Sequence, residues 1–269
     1  MCIAVFIWKS HPLYPFLLLS NRDEYHNRPT TPLGWWEDGE ILGGRDDEAG
    51  GTWLSCSRDG KLSFLTNVRE ISSNSSPVKT RGELPIRFLK GSKSPKEFAE
   101  ELVGEADQFK GFNLIVADVC SMTMLYITNR HNYGHGLSVT EVSPGIHVLS
   151  NAKLDSPWPK AQRLRCSFKD AVEKCFDDEI SLKAITEALM NDTSKDDENE
   201  LPGILSPAFE YPLSAIFVEA DTPLGRYGTR STSALVVRTN GKASFYERNL
   251  ENDVWKEQTM SFHVESNKV

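Results

Sequence analysis

The fold turns on Met1-Cys2-Ile3-Ala4-Val5-Phe6-Ile7-Trp8, answered by Phe16-Leu17-Leu18-Leu19-Ser20 and then Asn21-Arg22-Asp23-Glu24. Residues 2–8 and 16–20 read as two strands of a hairpin, because short apolar runs separated by a proline-bearing turn (Pro12 to Pro15) favour antiparallel pairing. In such a hairpin the end of the second strand lies beside the start of the first. Arg22 and Asp23, placed just after that second strand, therefore come back to the Cys2 end. Cys2 follows the initiator directly, and methionine is readily trimmed before a small residue. The trimmed chain would begin with a thiol and a free α-amine on one residue, a nucleophile with its own general base. Ordinary pKa values of ~7.7–8.0 for the amine and ~8.5 for the thiol make proton transfer between them nearly balanced. The plain alternative is a small, buried start of a strand, a common use of free cysteine.

The chain has 269 residues, enough to bury a sizeable core, with 39% hydrophobic and 25% charged residues. Net charge is −8. Half of it sits in residues 191–200, where five acids meet only Lys195; this stretch reads as an acidic surface loop. The remainder is mildly acidic, which argues against nucleic-acid binding. Five widely spread cysteines with no C-x-x-C pair indicate a reduced compartment without disulfides or a zinc site. The apolar runs fall well short of the ~18 residues of a membrane span, and no basic leader precedes the first. A cytoplasmic or organelle-surface protein is expected, with no transmembrane segment, metal or cofactor.

Further strands are expected at 52–57 and 62–66, at 112–118 and 122–128, near 139–142 and 147–150, and at 215–219, 233–238 and 243–250. The last two are joined by Asn240-Gly241, a hairpin-turn signal. Thr80-x-x-Glu83 and Ser94-Pro95-Lys96-Glu97 have the form of capping boxes opening two helices that end near Gly91 and Gly104. A long helix over 158–176 follows a cap at Asp155 or Ser156, and Ser181 opens another ending near Met190. Strands first, helices in the middle and strands last indicate a single α+β domain over 1–269.

Several features carry less. Gly43-Gly44-Arg45 to Gly50-Gly51-Thr52-Trp53 precedes a strand rather than a helix, so it reads as a sharp turn and not a phosphate loop. His131 and His135 are open to a metal or haem, but Tyr133 and Gly134 put them in a solvated loop. Trp35 and Trp36 either line a ligand groove or cap the core. Cys56, Cys120, Cys166 and Cys175 read as buried fillers.

Met-Cys, a hairpin and then Asn-Arg-Asp-Glu resembles the NRDE family, also called the transport-and-Golgi-organisation type-two family. The likeness continues through Gly43-Gly44-Arg45-Asp46, Gly51-Thr52-Trp53-Leu54, Thr66-Asn67-Val68-Arg69 and Leu149-Ser150-Asn151-Ala152. It ends in Pro157-Trp158-Pro159-Lys160 and Tyr227-Gly228-Thr229-Arg230-Ser231, so it covers nearly the whole chain. That family in turn is similar to N-terminal-nucleophile hydrolases of the bile-salt and penicillin-V acylase type, four-layer αββα sandwiches of two mainly antiparallel sheets. The resemblance implies Cys2 as nucleophile, Arg22 beside the thiolate and Asp23 on the free amine. It implies Asn67 and Asn151 around the oxyanion and amine, and Arg230 as a late supporting arginine. Asn21 and Glu24 lack a clear counterpart and read as turn-shaping or ligand-contacting residues.

Two functions are compatible with these residues. One is a cysteine amidohydrolase or thioesterase acting on fatty-acyl or similar conjugates. The other is a non-catalytic carrier of haem or acyl-coenzyme A, in which Arg22, Arg28 and Arg45 bind an acidic ligand. The resemblance implies links to Golgi organisation and secretion, lipid metabolism, haem handling and the mitochondrion, and so a peripheral association with Golgi or mitochondrion.

Overall fold

Strand β1 (Cys2–Trp8) runs antiparallel to β2 (Phe16–Tyr25), with Cys2 opposite Arg22 and Trp8 opposite Phe16. The computed structural model describes residues 2–71, 79–131, 134–174 and 179–265. In chain order there follow β3 (Thr30–Trp35), β4 (Ile41–Asp46), β5 (Leu54–Ser57), β6 (Lys61–Asn67), helices α1 (Glu83–Lys90) and α2 (Pro95–Leu102), β7 (Phe112–Asp118), β8 (Thr123–His131) and β9 (Gly134–Glu141). Then come β10 (Gly145–Leu149), α3 (Pro159–Lys174), α4 (Leu182–Met190), α5 (Pro207–Glu210), β11 (Glu219–Thr222), β12 (Gly225–Val237), β13 (Lys242–Glu251) and β14 (Val254–His263). Every strand pairing whose register is described is antiparallel. One sheet has the order β10-β1-β2-β12-β13-β14 with β11 on β12, and the other runs β3 to β9 in sequence.

The chain divides into two compact units, Met1–Arg28 with Pro144–Ser261, and Pro29–Ser143 with Phe262–Val269. In the first, alternate residues Ile3, Val5 and Ile7 of β1 and Leu17 and Leu19 of β2 pack against Leu164, Phe168 and Val172 of α3 and Ile185 and Met190 of α4. The opposite alternation brings Phe6, Trp8 and Phe16 together, with ring centroids about 6.5 Å apart in both pairs. In the second unit Leu114, Val116 and Ile127 pack against Leu84 and Phe88 of α1 and Phe98 and Leu102 of α2. Ser94 forms the expected capping box with Glu97, and Ser181 caps α4 by accepting from the Ala184 N–H.

Several expectations are corrected. Strand β2 continues to Tyr25, so Asn21 to Glu24 lie inside it; β12 pairs Thr229 with Asp23 and Tyr227 with Tyr25 after β1 has ended. Gly43, Gly44 and Arg45 belong to β4 rather than a turn. A Cβ on Gly43 would stand 2.6 Å from the Ser55 Cβ, and one on Gly44 would stand 2.5 Å from the Trp53 ring. These glycines admit neighbouring side chains, and β3 and β4 carry no hydrophobic alternation that would have shown them. Thr80 does not cap α1: Gly82 holds that place without a side-chain bond, and Thr80 offers only its carbonyl to Glu83.

The segment expected as a strand at 215–219 runs beside the sheet without joining its ladder until β11. Its polar groups are taken elsewhere: Phe217 N–H by the Asp192 carbonyl, Ile216 carbonyl by the Asn21 amide and Val218 N–H by Thr229 Oγ1. Cys120 and Cys166 are exposed, Cys56 is buried, and Cys175 lies outside the described residues. Within the acidic run Asp196 turns inward, accepting from the Lys160 N–H and pairing with Arg163, while Glu198 and Glu200 stay exposed.

Candidate functional site

The start of β1 is held between β2 and the end of β10. Arg22 faces Cys2 directly, and a cross-strand pair shares one face of a sheet. The Asp23 backbone N–H acts on the Cys2 sulfur so as to favour the thiolate. Ser150, just past the end of β10, donates its hydroxyl to the Cys2 carbonyl at 3.1 Å and lies 3.4 Å from Oδ1 of Asn151. Arg22 and Asp23 are both buried, at 5% and 2% exposure, and Asn151 at 1%.

Alternation along β2 sends Asn21 and Asp23 to the face opposite Arg22. The Asn21 amide donates to the carbonyls of Met190 (2.8 Å) and Ile216 (2.9 Å). Asp23 Oδ1 accepts from Thr229 Oγ1 at 2.8 Å, and the same Thr229 oxygen accepts from the Val218 N–H. Tyr227 donates its hydroxyl to the Asp23 carbonyl at 3.0 Å, its ring edge-on to Tyr25. Glu24 accepts from the Tyr25 N–H. The register of β12 shifts between Thr229 and Ser231, which places Arg230 at a bulge. Its guanidinium reaches past β2 to the carbonyls of Tyr25 and Arg28.

Charge at this end is finely opposed. Burial pushes the Cys2 thiol up and the Asp23 carboxylate adds to that, while the Asp23 N–H and Arg22 pull the other way; the net direction is upward. Arg22 favours the thiolate, but burial of the sulfur outweighs it. Burial also pushes the Asp23 carboxyl up, against the pull of Lys160 and Thr229. The Tyr227 phenol is raised by burial and by the nearby Asp23 and Cys2, and Arg230 is lowered by burial and by Arg22.

The remaining candidates lie in the second unit. Asn67 ends β6 opposite Phe112. Trp36 donates its indole N–H to the Gly43 carbonyl at 3.1 Å, and Arg45 lies over its ring at 5.1 Å. Trp35 stacks on Arg58 at 3.9 Å and meets Phe262 edge-on. His131 pairs with Gly134 and His135 with Arg130 in the ladder between β8 and β9, so they sit on strands and not in a loop; their side chains lie outside the described residues. Among the described residues no group of three or more His, Cys, Asp or Glu could hold a metal ion.

Four residues in these contacts are not among those the sequence points to: Ser150, Lys160, Tyr227 and Thr229. Each stands within a quoted motif, but one sequence does not tell which member of a motif faces the site.

Comparison with known proteins defines first a fold and then a family. A mutant of conjugated bile acid hydrolase from Clostridium perfringens superposes with a TM-score of 0.54 at 11% identity, covering 100% of this chain and 98% of that one. The N-acylethanolamine-hydrolyzing acid amidase ortholog of Caenorhabditis elegans gives a TM-score of 0.50 at 12% identity over 87% and 92%. The chain thus has the α+β fold of two mainly antiparallel sheets seen in N-terminal-nucleophile hydrolases, as the sequence led us to expect. The family Transport and Golgi organisation 2 matches residues 1–252. The Transport and Golgi organization 2 homolog of Mus musculus is 32% identical over 281 residues, 99% of this chain and 100% of that protein; the Homo sapiens homolog is 31% identical over the same span. The chain belongs to the Transport and Golgi organisation 2 family. Among the described residues no helix is long and apolar enough to cross a membrane.

Proposed function

We propose that the trimmed chain uses Cys2 as an N-terminal nucleophile toward an acyl carbonyl, as a cysteine amidohydrolase or thioesterase for fatty-acyl or similar conjugates. One observation carries this reading: the first strand begins with a cysteine whose cross-strand partner is a buried arginine. The α-amine takes the thiol proton as sulfur attacks, forming a tetrahedral oxyanion. The proton passes to the departing amine or thiol as the acyl–heteroatom bond breaks. Water then releases the acyl group from sulfur and restores the thiol.

In this scheme Asp23 holds the amine, Asn151 supplies an amide donor, and Arg22 and Arg230 frame the site. An oxyanion donor of this kind is often worth about 3 kcal/mol. The two structural neighbours are named a conjugated bile acid hydrolase and an N-acylethanolamine-hydrolyzing acid amidase, which supports a hydrolytic reaction class. Intact mass of the protein from cells and turnover of acyl-amide and acyl-thioester panels test it. Met1 retained, or turnover unchanged in Cys2→Ala, would refute the proposal.

A second function has its own support in the upward-shifted Cys2 thiol, since a sulfur held neutral suits a ligand carrier. Here Arg22 and Arg28 meet the acidic groups of haem or acyl-coenzyme A, with a role at Golgi or mitochondrion in secretion or lipid and haem homeostasis. Equal ligand affinity in Cys2→Ala and wild type, with no turnover in either, is the outcome this function requires.

A further inference from the structure

A cavity of about 740 Å3 opens where the start of α4 meets β12, β13 and β14. Buried Ile180 and Val236 make part of its wall apolar, and Tyr246 of β13 adds its ring. Pockets for small organic molecules commonly span roughly 300–1,000 Å3. This one lies apart from the Cys2 end. Along β13, Asn249 shares a row with Ser231, Arg22 and Cys2, whereas Tyr246 shares one with Ala234 and Leu19, roughly 10 Å further along the strands. Tyr246 and Val236 also belong to the helix-covered face of the sheet, and Arg22 to the other.

Two features of the cavity call for a ligand. Tyr246 is 3% exposed, and its hydroxyl is buried with no hydrogen-bond partner among the described residues. A buried donor left unmade is costly, so such a group marks a place where a partner belongs. Burial and the Glu257 carboxylate push the phenol up, which keeps it a neutral donor. The second feature is charge. Lys183, Arg238 and Lys242 line the cavity against two carboxylates, Glu179 and Glu257, in a chain of net charge −8. Arg238 pairs with Glu179, and Lys183 with Glu257 at 2.6 Å. Glu187, one turn on in α4, also reaches Lys183 at 3.8 Å but is not part of the wall. Lys242 makes no ion pair among the described residues. Beside these, Leu182 and Lys183 open α4, where the first N–H groups have no intrahelical acceptor and no acidic residue stands in the turn.

We propose that this cavity is a second binding site, separate from Cys2, for a small organic monocarboxylate held by Lys242 and the first turn of α4. The apolar body of the ligand lies against Val236 and the Tyr246 ring, and the Tyr246 hydroxyl donates to a ligand oxygen. One unmatched positive charge selects a monoanion over a dianion such as a phosphate monoester, because a second negative charge would face Glu179 and Glu257 without compensation. The site stands independently of the nucleophile scheme and needs no turnover.

The test titrates benzoate into the full chain, with phenyl phosphate and benzyl alcohol beside it, and follows the Leu182 and Lys183 amides by 1H–15N NMR. Benzoate should shift both amides saturably, and the other two probes should bind more weakly. Lys242→Gln should weaken benzoate by roughly three- to tenfold. Tyr246→Phe should weaken it by a similar factor, yet leave the free chain at least as stable, since the hydroxyl it removes has no partner there. Cys2→Ala should bind benzoate as the wild type does. No saturable shift up to about 10 mM benzoate overturns the proposal. So does unchanged affinity in Lys242→Gln, equal binding of benzyl alcohol, tighter binding of phenyl phosphate, or loss of binding in Cys2→Ala.

Discussion

At the scale of single residues, Arg22 and Asp23 are neighbours that act on Cys2 with opposite sign. The Asp23 carboxylate raises the thiol and Arg22 lowers it. Asp23→Asn should therefore speed alkylation of Cys2 at fixed neutral pH and Arg22→Met should slow it, each by roughly two- to tenfold. Mass-resolved iodoacetamide labelling reads these rates, and equal rates in the three proteins would contradict the balance described. Asn21 makes a different kind of contribution. Its buried amide joins β2 to the end of α4 and to Ile216, so Asn21→Leu should cost about 2–4 kcal/mol in denaturant unfolding by stranding two carbonyls. The sequence showed that Cys2, Arg22 and Asp23 would meet, because a hairpin of known register leaves little choice. It did not show the destination of Asn21: period-two spacing names a face, but not the carbonyls 169 and 195 positions away.

At the scale of elements, the corner between β10 and α3 depends on Asp155, which sits at φ +58°. Its carboxylate accepts from the Val148 N–H at 2.9 Å and pairs with His147 at 2.7 Å and Arg165 at 3.2 Å. Burial pushes this carboxyl up, but His147, the Val148 N–H and Arg165 together bring it below its ordinary value. Its stabilising contribution is therefore full above the usual carboxylate range and is lost as pH falls through the lowered folded value. Asp155→Asn should flatten the acid side of a stability-versus-pH curve, and an unchanged curve would count against this corner.

In the other unit, Gly44→Ala should cost about 1–3 kcal/mol, read by denaturant midpoint, because the new methyl meets the Trp53 ring. Elements with capping or periodicity were legible: Ser94 and Ser181 open helices as expected. Strands β3 and β4 were not, since glycines selected for close approach look like turn residues. The 215–218 segment was misread for a related reason, as an extended apolar stretch whose hydrogen bonds go partly to side chains and a loop carbonyl.

At the scale of the whole molecule, the order strands, helices, strands gave the α+β class, and the motifs running through both units gave the family. Which strands share a sheet was hidden, because β1 and β2 recruit β10 and β12 from far along the chain. An uncleavable N-terminal fusion should abolish acyl transfer by blocking the Cys2 amine, while a C-terminal fusion should spare it; equal activity in both fusions would remove the free amine from the chemistry. The Ser150 hydroxyl meets the Cys2 carbonyl across 148 positions of sequence. During synthesis, then, the amino end emerges long before the strand that will enclose it has been translated.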